Sequence, residues 1–149
     1  RVVEPLAHVC GIRIGRRTEG SGSAFDAEAE AQWIERALES CGLDLSDIGT
    51  ILTGAPGSPR ADAPYEAVVD ALSARRGIPL IHCRYKKLCG EHLSASAFGF
   101  IVAVRLARGE ISPGDLGALA VEMPGGGQGR VLMYTRGRGG VMGMCVVEP

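Results

Sequence analysis

Residues 48–62, Ile48-Gly49-Thr50-Ile51-Leu52-Thr53-Gly54-Ala55-Pro56-Gly57-Ser58-Pro59-Arg60-Ala61-Asp62, decide the fold. The first six form a short apolar, β-branched run, which reads as a buried strand. Residues 54–62 carry Pro56, Gly57 and Pro59, so the chain turns there. Asp62 stands where it caps a following helix, with Pro64 in the first turn, where a missing N–H costs little. Tyr65, Val68, Val69 and Leu72 mark the buried face of that helix, and Gly77 ends it. A strand that feeds a glycine-containing turn and then a helix is the repeating unit of an α/β sheet.

The same alternation extends in both directions. Upstream, residues 7–14 read as a strand ending in a loop over 15–23. Asp26 caps a helix with Glu28 and Glu30 in its first turns, where the dipole favours them. Trp33, Ile34, Ala37, Leu38 and Cys41 recur on one face of that helix, and Gly42 stops it. Downstream, residues 78–83 are a strand, 84–92 a loop and 94–108 a helix that is apolar nearly all round, the pattern of a helix buried on most sides. Residues 119–123, 131–135 and 141–147 read as three further strands, joined by the glycine-rich links 125–127 and 137–140. The order βαβαβαβββ predicts an α/β fold: a mixed sheet of about five to six strands with helices packed on its faces, the last strands antiparallel because their links are short.

Composition narrows the class. Of 149 residues, 46% are hydrophobic and 22% charged, and the formal net charge is −1. That balance gives no whole-chain argument for nucleic acid or an acidic tail. The five cysteines, Cys10, Cys41, Cys83, Cys89 and Cys145, are odd in number and not spaced as a disulfide framework, so reduced thiols in a cytoplasmic protein are expected. Cys83, Cys89 and His92 are conceivable metal ligands, but no CxxC pair accompanies them, and no metal is expected. No signal peptide is visible, and no apolar run reaches the ~18 residues of a membrane span.

Three loops in this order resemble motifs of the β-ketoacyl synthases, members of the thiolase superfamily. The family's His-Gly-Thr-Gly-Thr-Pro-x-x-Asp falls on residues 54–62 without a gap: Gly57, Pro59 and Asp62 match, Ser58 is conservative, and Gly54 stands at the histidine position. The family's Lys-Ser-x-x-Gly-His-x-x-Gly-Ala-Ala-Gly falls on residues 86–97: Lys86, Gly90 and Ala95 match, Glu91 takes the second histidine position, and His92 comes one residue late. Ser-Phe-Gly-Phe-Gly-Gly-Thr-Asn-Ala falls on residues 135–143, keeping Gly137, Gly139 and Gly140 but replacing both gating phenylalanines by Arg136 and Arg138. The resemblance covers most of the chain and implies that residues 1–149 form the C-terminal half of a thiolase-like fold. It places the family's nucleophilic cysteine in an N-terminal half; none of the five cysteines here sits in its strand–turn–helix setting.

In a resembling enzyme the cysteine carries an acyl thioester, and the lysine-supported histidines help decarboxylate the extender and stabilise developing negative charge. Gly54 offers no donor, and an anionic Glu91 repels an enolate. Removing one oxyanion donor typically costs about 10²–10³ in rate, so losing two leaves little condensation. The degenerate site positions are therefore Lys86, Glu91 and Gly54, with His92 a candidate to swing into the vacant place or an ordinary surface group. A Lys86–Glu91 salt bridge is expected to hold the loop. His8 and His82 read as satisfied structural histidines. Pro56, Ser58, Arg136 and Arg138 would line the substrate channel, which the two arginines block or rewire or, as a solvated glycine–arginine loop, leave alone. Arg84, Lys86, Lys87 and Arg130 are expected to add positive charge at one sheet end, a patch able to steer an acidic acyl carrier protein or simply ordinary surface charge.

The resemblance implies a non-catalytic, chain-length-factor-like subunit of a fatty-acid or polyketide synthase complex. Its partners would be a ketosynthase-like N-terminal half, an active ketosynthase subunit, or both, together with an acyl carrier protein. No cofactor is expected beyond acyl-phosphopantetheine on that carrier as a possible ligand. The alternative is half of an active ketosynthase-fold enzyme with altered acyl-carrier chemistry: acyl transfer, condensation or dehydration. A free-standing small binding domain is disfavoured by the buried-type helix over 94–108.

Overall fold

The computed structural model of the chain describes residues 5–16, 25–92, 94–118 and 129–149, apart from the side chain of Arg138. Five strands and four helices follow in the order β1 (His8–Arg16), α1 (Ala27–Glu39), β2 (Thr50–Thr53), α2 (Pro59–Arg76), β3 (Ile81–Arg84), α3 (Lys86–Cys89), α4 (Ala95–Ala107), β4 (Val131–Arg136) and β5 (Val141–Glu148). The strands form one mixed sheet in the order β1-β5-β4-β2-β3. β2 runs parallel to β3 and β4, whereas β5 is antiparallel to both its neighbours. The expected strand over 119–123 lies outside the described residues.

Side-chain alternation splits the sheet into two cores. Ile51, Leu132, Tyr134, Met144 and Val146 face α1 and α2, packing with Ile34, Leu38, Val68 and Leu72. Leu52, Cys83, Val131, Met133 and Val147 face the other way, onto Val102, Ala103 and Leu106 of α4. α4 approaches so closely that a Cβ added at Gly99 would lie 2.8 Å from Met133 Cε and the Tyr85 ring, which explains a glycine in the middle of a helix. β1 is an edge strand. Gly11 and Gly15 clear space for Cys41 and Trp33 of the α1 region, so Ile12 and Ile14 point to the face of α4, where they are 58% and 79% exposed.

Local chemistry explains most boundaries. Asp26 accepts from the Glu28 and Ala29 amides and caps α1 as expected. Gly77, at φ 76°, ends α2 in the left-handed conformation. The start of α2 differs from expectation. Ser58 is the N-cap and Pro59 opens the helix, so Asp62 lies inside the first turns and Pro64 in the helix body. Pro59 meets the first-turn preference that the sequence reading gave to Pro64. No helix among the described residues is long and apolar enough to cross a membrane.

His82 lies on β3 with Nε2 2.7 Å from the Thr53 hydroxyl of β2, a satisfied structural histidine. His8 differs: it is exposed at the start of β1. Burial, reinforced by nearby Arg84, lowers the His82 pKa to about 4. An unfolded histidine titrates near 6.5, so between these values the unfolded chain binds more protons and stability falls as pH drops. The slope from this one group reaches at most about 1.4 kcal/mol per pH unit. His82→Gln should flatten the stability profile between pH 6.5 and 4 in urea titrations; an unchanged slope would place the acid sensitivity elsewhere.

Candidate functional site

The C-terminal ends of the parallel strands β2, β3 and β4 open on one edge of the sheet, the usual location of ligand clefts in α/β folds. A cleft of about 350 Å³ lies there, and Gly54, Pro56, Tyr65, Lys86, Glu91 and Arg136 are among its lining residues. Three segments build it. The loop after β2 turns at Gly57, φ 99°, a conformation that favours glycine, and its amide donates to the Asp62 carboxylate at 2.9 Å. Asp62, 4% exposed, also meets Arg84 at the end of β3 at 3.5 Å. After β3 the chain makes the single turn α3, and Gly90, at φ 74° and ψ −171°, folds Glu91 back over Lys86. Between β4 and β5, Gly139 and Gly140 adopt φ of 67° and 73°, whereas Gly137 is extended. The glycines and acid that match the motifs thus fix loop shape.

A side chain at position 54 would press on its neighbours. A Cβ built there would lie 3.2 Å from the hydroxyls of both Tyr65 and Tyr85 and 3.3 Å from Lys86 Cε. Tyr85 is fully buried, and its hydroxyl finds no partner of acceptable geometry among the described residues. Burial pushes its pKa up to about 12, with Ser96 tempering but not offsetting the effect, so it stays a neutral phenol. Tyr65 is also raised by burial; its hydroxyl accepts from the Arg136 amide at 3.0 Å and ties α2 to the end of β4.

Two ion pairs flank this floor. Lys86 Nζ donates to both Glu91 oxygens, at 2.9 and 2.8 Å, so the expected salt bridge is present. Glu91 lies three residues before the α4 N-cap Ser94 and is held by Lys86. Arg136 reaches Glu30 of α1, with Nε 3.0 Å from one oxygen and the second arm 3.2 Å from the other, and stacks 4.6 Å over the Phe25 ring. Glu30 is 2% exposed and also accepts from the Tyr134 hydroxyl, whose pKa is raised by burial and then by this carboxylate.

The structure thus brings Gly54, Pro56, Lys86, Glu91 and Arg136 into one cleft. It leaves out His92, which is exposed and shares a 3.1 Å hydrogen bond with Ser94. Ser58 is exposed at the N-cap of α2 and is not among the lining residues. Arg138 opens the turn Arg138–Gly140, but its side chain lies outside the described structure. Arg130 does not join the expected positive patch. It precedes β4, at the opposite sheet end from Arg136, and pairs with Asp47 and Glu148 at 3.2 and 2.8 Å. Arg84 is likewise paired, with Glu66 at 2.6 Å, which leaves Lys87 as the cation of that group without an ion pair among the described residues. Among these residues no group of three or more His, Cys, Asp or Glu side chains is placed to hold a metal ion.

No protein-family model matches the chain, and no curated protein matches it in sequence. Solved structures match it closely in shape. An oxazolomycin ketosynthase domain of Streptomyces albus aligns over 96% of this chain and 44% of its own at 18% identity, with a TM-score of 0.66. A type II polyketide-synthase ketosynthase, solved with its acyl-carrier protein and bound to the hexaketide, aligns over 96% of this chain and 38% of its own at 13% identity and TM-score 0.74. A keto synthase–chain length factor aligns over 98% and 18% at 16% identity and TM-score 0.72. The chain therefore has a ketosynthase-like fold over the part of these structures with which it aligns. It spans less than half the length of each of these structures.

The packing at position 54 makes a direct prediction. In Gly54→His the two tyrosine hydroxyls and Lys86 must give way by a few tenths of an ångström for the Cβ alone, and overpacking typically costs about 1–3 kcal/mol. Urea midpoints should fall accordingly for Gly54→His and less for Gly54→Ala; a histidine accepted without loss would mean that the floor yields.

Proposed function

We propose that the chain is the C-terminal half of a non-catalytic, chain-length-factor-like subunit of a fatty-acid or polyketide synthase complex. The observation that carries this reading is the floor of the cleft. Where a condensing enzyme needs imidazole donors, this chain has a glycine whose side-chain space is taken by Tyr65 and Tyr85, and a glutamate that neutralises Lys86. Neutral phenols packed at a floor and two ion pairs closed on themselves give wall, not acid–base machinery. The acyl-phosphopantetheine arm of an acyl carrier protein would then be a guest of the partner's site. The alternative of altered acyl-carrier chemistry loses its one histidine candidate, because His92 stands outside the cleft.

A partner half is supported by the face that carries α4. α1 and α2 cover one side of the sheet, whereas α4 lies across β4 and β5 on the other. Phe98, Phe100 and Ile101 project outward from α4 on the side to which Ile12 and Ile14 also point, and Ile101 is 56% exposed. Exposed apolar side chains gathered on one side of a sheet suit an interface, and obligate interfaces resemble a domain core cut in half. The partner is a ketosynthase-like N-terminal half, on a separate polypeptide or covalently joined, and the pair in turn docks on an active ketosynthase.

Both parts of the proposal meet one experiment. The complex that forms around this chain, supplied with radiolabelled acyl-carrier substrate, should place no label on this chain, and Ile101→Asp should release the chain from its partner in gel filtration. Label retained on this chain would overturn the non-catalytic reading, and an unaltered elution of Ile101→Asp would overturn the interface.

A further inference from the structure

We propose that Lys86 is the binding group for a short aliphatic carboxylate and that Glu91 is the displaceable counter-ion that closes the site when the ligand is away. The two members of this pair are unequally buried. The Lys86 side chain is 8% exposed, whereas that of Glu91 is 65% exposed. A buried ammonium without an anion is strongly unfavourable, so Lys86 must hold one at all times. Glu91 supplies it from a side chain that lies mostly in water and loses little on turning outward.

The other ion pair of the cleft behaves oppositely. Glu30 is 2% exposed and meets both arms of the Arg136 guanidinium as well as Tyr134, so no ligand displaces it. Lys86 is therefore the cation of the cleft that can exchange partners. Its present occupant also reports the chemistry it accepts: a carboxylate with both oxygens within 2.9 Å of Nζ.

The walls set the rest of the ligand. Pro56, Pro64, Val141 and Met142 line the cleft together with Lys86, giving apolar surface beside the charge. A volume of about 350 Å³ is at the small end for ligand pockets. One exchangeable ammonium suits a monoanion. A phosphate dianion would call for a second free cation, and Arg136 is already committed. The site thus fits a monocarboxylate bearing a tail of a few carbons, with its head on Lys86 and its tail along the prolines. This goes beyond the non-catalytic reading of the same cleft and stands whether or not the chain pairs with another half.

The test is a titration with butyrate of the chain as it purifies, with its partner if one accompanies it, following the Lys86 side-chain resonances by NMR. Butyrate should shift those resonances and butyramide, equal in shape but uncharged, should not. Glu91→Gln removes the internal competitor and should tighten butyrate binding roughly five-fold, the amount expected for a pair with one exposed member; Lys86→Met should abolish it. Equal responses to butyrate and butyramide, or an affinity unchanged in both variants, would overturn the proposal. The comparison on unsubstituted protein decides even if a variant folds poorly. Labelling of the chain by acyl-carrier substrate would refute the non-catalytic reading and leave these affinities where they are.

Discussion

A helix that is apolar on nearly every side cannot end in water, and α4 is such a helix. One of its faces buries Val102, Ala103 and Leu106 against Leu52, Met133 and Val147 of the sheet, close enough to require glycine at position 99. Away from the sheet Ile101 is 56% exposed, with Phe98 and Phe100 at 36% and 37% on the two flanks of the helix. On the other side of the sheet α1 and α2 bury Ile34, Leu38, Val68 and Leu72 against the strands. This asymmetry between the two sides is what the proposed partner half would answer.

The cleft at the strand ends owes its form to the loops that frame it. Gly57, Asp62, Gly90, Gly139 and Gly140 hold the three loops through left-handed backbone or a buried carboxylate, and none of them needs to touch a substrate to be required. The positions at which the resembling motifs carry substrate-facing groups each meet a partner in this structure. Gly54 is matched by the hydroxyls of Tyr65 and Tyr85, Glu91 by Lys86, and Arg136 by Glu30 and Phe25.

Much of this was legible in the sequence. Hydrophobic period, the Asp26 cap and the Gly77 stop located α1 and α2, and the nearly continuous apolar run located α4 with its bounds one residue long at each end. The Lys86–Glu91 bridge followed from spacing. What escaped were relations between distant segments. Glu30 read as an acid placed for the helix dipole, whereas it is the buried partner of Arg136, 106 residues away; an arginine at a position expected to be aromatic was the available hint that a carboxylate lies opposite. Tyr85 reads as part of a loop, and nothing in the sequence signals that its hydroxyl lies against Gly54 while its ring packs on Gly99. Arg130 was assigned to the wrong sheet end because a strand's direction is set by its neighbours and not by its own residues. α2 opens at Pro59, which reads as part of the preceding turn because Asp62 resembles a cap.

The claim on which the account turns is that α4 belongs to the interior of a larger body. Native mass spectrometry of the protein isolated under non-denaturing conditions tests it most directly. The account predicts that these residues appear within a heteromer or a longer polypeptide. A stable 15.6 kDa monomer that unfolds cooperatively would contradict it.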